Sequence, residues 1–152
     1  MDTRVIVMRL RKLDGYLLSL RQVQTVPLEE FLDDDGIQTY VERKLQLAIQ
    51  ACMDIGNYLI GQLGLAVPDE AENVFAVLGR EDVIEPDLAQ RMVSMVRFRN
   101  ILVHDYLEID SQIVYHNLTD ELGDFDQFAQ TILERFLPGD TTDWPMQPGD
   151  TK

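Results

Sequence analysis

The sequence is short of several things, and each shortage closes off a class of protein. It has one cysteine in 152 residues, Cys52. No internal disulfide can therefore form and nothing points to an oxidising compartment, which makes the cytoplasm the expected location. Cys52 lies between Ala51 and Met53 in an apolar helical pattern and reads as a small buried hydrophobe rather than a reactive thiol. No stretch approaches the roughly 20 apolar residues a membrane-spanning helix needs, so no membrane partner is expected. The opening MDTRVIVMRLRKLDGYLL interleaves basic and apolar residues instead of separating them, which does not read as a secretion signal. The two histidines, His104 and His116, lie in no spaced cluster of ligands, so neither a metal site nor a cofactor is expected. There is no repeat, no Gly-rich phosphate loop and no apolar/polar alternation bounded by turn signals, hence no expected strand.

Positive charge is also scarce: 13 Lys and Arg face 27 Asp and Glu, a net charge of −14. Spread evenly, that would argue against a nucleic-acid partner. It is not spread evenly. Residues 1–24 carry five basic against two acidic groups, residues 25–103 six against fourteen, and residues 104–152 two against eleven. Basic charge is concentrated in the first helix and in Arg80, Arg91, Arg97 and Arg99, which leaves room for a local basic cleft on an acidic body.

What is present is helical periodicity, in a chain of a size that suits one domain. Ile6, Leu10, Leu13, Leu17 and Leu20 recur at steps of three and four, predicting a helix over about 3–23, with a short turn beginning at Pro27. After the DDDG at 33–36, Val41, Leu45, Ala48, Cys52, Ile55, Leu59 and Leu63 predict a second long helix over about 38–63, stopped by Gly64. A short helix is expected over 70–78 and a third long one from Pro86 to about Val103. Asp110 should cap a final helix running to Phe136, which Gly123 can kink. The expected fold is an all-α antiparallel bundle of four main helices plus one or two short ones, spanning 1–137. Residues 138–152, PGDTTDWPMQPGDTK, hold three of the six prolines and no periodicity, and read as a flexible tail. Trp144 there either docks or stands exposed.

One segment stands out. RFRNILVHDY, residues 97–106, places two arginines, an asparagine, a histidine and a tyrosine at the end of an otherwise apolar helix. At about 100° per residue, Asn100 and His104 share one line of that helix while Arg99 and Tyr106 share another, roughly 100 to 140° away. One copy presents Arg99 and His104 awkwardly to a small target. Two copies across a two-fold axis would present both lines to a shared cleft. Arginine grips phosphate with forked, charge-assisted hydrogen bonds, and histidine exchanges protons near neutral pH. Together they meet the needs of RNA strand cleavage without a metal: a base for the 2′-hydroxyl, an acid for the leaving oxygen and a cation for the phosphate. Against this, an Arg and a His five apart arise by chance in roughly a tenth of chains this size. Both are also favourable at a helix C-terminus through its dipole and free carbonyls alone.

Arg99-Asn100-Ile101-Leu102-Val103-His104-Asp105-Tyr106 resembles the R-x4-H-x-Y signature of the HepT family of HEPN-domain toxins. PDLAQRMVSMVRF before it and VFAVLGREDVIEPDLA ahead of that resemble the same family, and the long N-terminal helix pair suits its layout. The resemblance implies a toxin-antitoxin system and a metal-independent ribonuclease acting as a homodimer on RNA. It makes Arg99 and His104 the catalytic pair, with Asn100 positioning substrate or ordering the site. It makes Tyr106 the residue to which a minimal nucleotidyltransferase antitoxin transfers AMP, blocking the RNA path with bulk and negative charge. A second possibility is a non-catalytic partner or substrate subunit of such a nucleotidyltransferase, and a third a purely structural helical dimer. Asp110 reads as a helix cap, Asp105 and Glu108 have either a loop or a partner role, and His116 reads as a surface or interhelical residue.

Overall fold

The computed structural model describes residues 1–68, 73–104, 109–139 and 143–146. Among them the helices are α1 (Thr3–Val23), α2 (Leu28–Leu32), α3 (Asp35–Leu63), α4 (Val74–Arg80), α5 (Pro86–His104), α6 (Ser111–Asp120) and α7 (Leu122–Phe136), with no strand. The all-α bundle is the one the periodicity implies. The long helices bury the apolar stripes their spacing marks out, except that Leu63, in the last turn of α3, stays 41% exposed: Ile6, Leu10, Leu13, Leu17 and Leu20 of α1 are all fully enclosed. So are Val41, Ala48, Cys52 and Leu59 of α3. At about 1.5–3 kcal/mol per enclosed large aliphatic side chain, this α1/α3 seam is a principal source of stability. Burial pushes the Cys52 thiol far above its ordinary pKa, as suits a core hydrophobe and not a nucleophile.

Local chemistry sets the helix ends. Asp2, Asp34, Asn73 and Asp110 each turn a side-chain oxygen onto a free first-turn N–H of α1, α3, α4 and α6 respectively. At the end of α3, Gly64 takes the left-handed conformation at φ 66°. Alpha-1 and α3 run antiparallel: the Tyr58 hydroxyl, near the end of α3, accepts from the Asp2 amide at 3.1 Å and donates to the Asp2 carbonyl at 2.8 Å. Two glycines permit close helix approach. A Cβ on Gly56 would come within 2.6 Å of Val74, and one on Gly79 within 2.5 Å of Ala89, so α4 sits tight against α3 and α5.

The C-terminal part departs from expectation. In place of one helix kinked at Gly123, the chain breaks at Glu121, which ends α6 and begins α7. The break lets the two halves serve different neighbours. In α6, Ser111 bonds Gln38 of α3 and the Leu118 carbonyl receives Gln24. In α7, Asp124 pairs with Arg91 of α5 and Phe128 meets Phe75 edge-on at 5.5 Å between ring centres. Nor does packing stop at residue 137. Met146 is 6% exposed within the main core, and the Trp144 indole N–H donates to Asp126 at 2.8 Å. Of the two readings of Trp144, docking is the one observed; residues 140–142 and 147–152 lie outside the described residues.

Candidate functional site

Alpha-5 runs through the bundle with Leu88, Met92, Met95, Val96 and Phe98 buried, and this packing holds its last turns in place. Beyond Phe98 the burial thins. Only Leu102 is buried, Arg99 is half-buried, and Asn100, Ile101 and His104 are exposed. The divergence expected from helical geometry is therefore visible in the environments: Arg99 turns toward α3, while Asn100 and His104 share the open side.

The Arg99 guanidinium is tied at both terminal nitrogens. Nη2 donates to Gln50 Oε1 at 2.8 Å and Nη1 to Asn100 Oδ1 at 3.2 Å, while Nε is enclosed with no partner. Gln50 in turn donates through Nε2 to Asp54 Oδ1 at 2.9 Å. The other oxygen of Asp54 lies 3.4 Å from Arg9 Nη1 on α1. A polar chain thus crosses three helices, from Arg9 through Asp54 and Gln50 to Arg99. Sequence reasoning missed Gln50, Asp54 and Arg9. The only local trace was Gln50 and Asp54 standing four apart on one helix face, which nothing connected to Arg99 until α3 and α5 packed together.

His104 closes α5, and no hydrogen bond or ion pair reaches its ring from the described residues. Tyr106, together with Asp105 and Glu108, lies outside the described residues. His116 is engaged on α6, 2.8 Å from Asp120 and 3.1 Å from Glu121, an arrangement that suits its reading as a surface residue. Asp110 caps α6 as expected.

The four arginines around the motif divide by partner. Arg91 pairs with the buried carboxylate of Asp124 and donates to Gln127 at 2.9 Å; Arg80 lies 3.7 Å from Glu81. Arg97 is exposed and lines both grooves that flank α5, of about 570 and 450 Å³. Neither groove is lined by Arg99 or His104, so one chain does not enclose that pair in either. Among the described residues no group of three or more His, Cys, Asp or Glu gathers as a metal site, and no helix is long and apolar enough to cross a membrane.

An all-α bundle that carries an Arg-Asn-x3-His segment on the last turns of a packed helix has the architecture of a HEPN domain. The chain belongs to the ribonuclease HepT-like family, whose model matches residues 12–132. It is 36% identical over 103 residues to the mRNA nuclease HepT of Shewanella oneidensis, covering 68% of this chain and 77% of that one. It is 28% identical over 128 residues to the tRNA nuclease HepT of Aphanizomenon flos-aquae, covering 84% and 87%. Among solved structures it superimposes on the tri-AMPylated Shewanella oneidensis HEPN toxin, seen in complex with its MNT antitoxin. That match has a TM-score of 0.79 at 30% identity and covers 88% of this chain and 98% of that one. A toxin–antitoxin crystal structure with AMP-PNP matches at TM-score 0.80 and 30% identity, covering 86% and 98%.

Proposed function

We propose that the protein is the toxin of a toxin-antitoxin pair, cleaving RNA without a metal at a cleft built from two copies of α5. The observation that carries this reading is the pairing, on one helix, of a cation that no carboxylate among the described residues cancels, Arg99, with an imidazole that has no partner among them, His104, five residues further on. Arg99 holds the scissile phosphate and offsets the extra negative charge of the pentacovalent transition state. One His104 takes the proton of the 2′-hydroxyl as that oxygen bonds to phosphorus. The His104 of the second copy returns a proton to the departing 5′-oxygen as its bond to phosphorus breaks. Asn100, bonded to Arg99, orders the site. A homodimer accounts for a pair of residues that a single chain presents on two diverging lines of α5.

The cytoplasm is the expected setting, and the partner is a minimal nucleotidyltransferase antitoxin. Tyr106 is its target: the phenol attacks the α-phosphorus of ATP, pyrophosphate leaves, and the attached AMP brings negative charge to the place where RNA must lie. That a homologous toxin is described as tri-AMPylated in complex with such an antitoxin supports this part of the reading.

The test is cleavage of RNA by the purified protein, with growth arrest on expression as a second readout. Arg99→Ala and His104→Ala should abolish both while leaving the helical content and the oligomeric state as they were. Undiminished cleavage by either variant overturns the assignment. Incubation with ATP and the antitoxin should add AMP to wild type but not to Tyr106→Phe, read by mass spectrometry. A wild-type protein that accepts AMP yet never cuts RNA is instead a non-catalytic partner subunit.

A further inference from the structure

We propose that Gln50, oriented by Asp54, is a positioning residue for the Arg99 guanidinium, and that its neutrality keeps Arg99 available as a cation for phosphate. This rests on the reading of Arg99 as the phosphate-binding group. Three observations combine. First, among the described residues Gln50 supplies the one hydrogen bond across the α3/α5 boundary to Arg99, at 2.8 Å, and Arg99 is half-buried there. Second, the Gln50 amide has one orientation consistent with its neighbours. Asp54 can only accept from the amide nitrogen, at 2.9 Å, so the carbonyl oxygen must be the end that faces Arg99. Third, both acceptors that Arg99 meets among the described residues, Gln50 and Asn100, are neutral amides.

The donor inventory of the guanidinium follows. Arginine has five N–H donors. One on Nη2 and one on Nη1 are used, and Nε is enclosed without a partner. One donor remains on each terminal nitrogen, enough for a two-point contact with a phosphate. Gln50 and Asn100 thereby fix the plane of the fork without cancelling its charge. The one carboxylate in the Arg9–Asp54–Gln50–Arg99 series stands a residue further back, on Asp54, and there it faces a cation of its own, Arg9, at 3.4 Å. Two positive groups, one negative and one neutral amide leave a single positive charge, which resides on Arg99.

The experiment uses the full-length protein and a labelled single-stranded RNA, with kcat and KM measured separately over a range of salt, and Arg99→Ala in the same series. Gln50→Leu removes the acceptor and frees the guanidinium to rotate. kcat should fall by about 10- to 100-fold, as expected when a catalytic group is displaced by an ångström or so, with an unchanged thermal midpoint. The double variant Gln50→Glu with Asp54→Asn keeps the total charge but moves the carboxylate onto Arg99. KM should rise, and the slope of log affinity against log salt should shrink by about one phosphate contact. A residue that merely supports the fold would move neither KM nor the salt slope. If Gln50→Leu does not fold, the double variant decides. Cleavage by Gln50→Leu within twofold of wild type, or a double variant with wild-type KM and salt slope, overturns the proposal while Arg99→Ala stays inactive. An active Arg99→Ala instead overturns the reading of Arg99 itself.

Discussion

Alpha-5 carries two half-buried arginines two turns apart, and they are used in opposite ways. Arg91, near the start, meets the carboxylate of Asp124, itself 8% exposed, and the Gln127 amide. Arg99, near the end, meets among the described residues only the amides of Gln50 and Asn100. The difference is one of charge. At about 4 Å and an effective dielectric near 20, a carboxylate holds a cation with about 4 kcal/mol, leaving little attraction for a phosphate. An amide orients the guanidinium and leaves its charge in place. The Arg91 end of the helix is a fastening and the Arg99 end is a tool, and burial follows the same division: Leu88, Met92 and Met95 are enclosed at one end, Ile101 and His104 exposed at the other.

Substitutions can break this contrast. The largest effect should come from Arg99→Ala, which is expected to cut RNA cleavage by at least 10²- to 10³-fold at a stability cost of about 1 kcal/mol for the hydrogen bonds lost. Rate measurements beside denaturant melts check both halves. Next, Met92→Ala opens a cavity in the fully enclosed part of the helix and should cost about 3 kcal/mol. Ile101→Ala, at a residue 45% exposed, should stay within about 0.5 kcal/mol. Equal losses in chemical denaturation would erase the distinction between the two ends.

Arg91→Ala strands the Asp124 carboxylate in a buried position. Because the Arg91 side chain is itself 41% exposed, solvent softens the loss to about 2 kcal/mol. That corresponds to a midpoint lower by about 4–8 °C for a chain of this size. Cleavage per folded molecule should stay near wild type, the reverse of the Arg99 result.

The smallest effect concerns Glu121, beside Asp124. Its carboxyl is held above the ordinary value, first by burial and then by the hydrogen bond and charge of Asp124, with His116 opposing. A raised carboxyl binds its proton better in the folded state, so the stability it contributes is present below the ordinary glutamate value and lost as pH rises through the raised one. Glu121→Gln should therefore melt slightly higher than wild type at pH 7. The gap should close as pH falls through the raised value and below the ordinary one, where both chains are uncharged at that position; thermal melts across that range check it.

Much of this was legible in the residues because it is local. A stripe such as Ile6-Leu10-Leu13-Leu17-Leu20 has one helical solution, Gly64 and Asp110 mark helix ends through their own backbone and side-chain chemistry, and the spacing of Arg99, Asn100 and His104 separates their faces wherever the helix is put. The break at Glu121 was not legible. Helical propensity across 111–136 is continuous enough for one helix, and the reason to interrupt it lies in partners on α3 and α5. Similarly, the Pro-rich composition of the tail suggested freedom, yet Trp144 and Met146 find Asp126 and the core.

By itself, then, the sequence determined the long helices of the first two thirds, most of the residues they bury and the presence of an Arg/His pair on diverging lines, since each of these depends on neighbours within a turn or two. The tertiary structure alone decided what surrounds each arginine. Gln50 and Arg99 are 49 positions apart and Arg91 and Asp124 are 33 apart. Such pairs meet only when helices pack, and that meeting settles which positive charge is cancelled and which is kept.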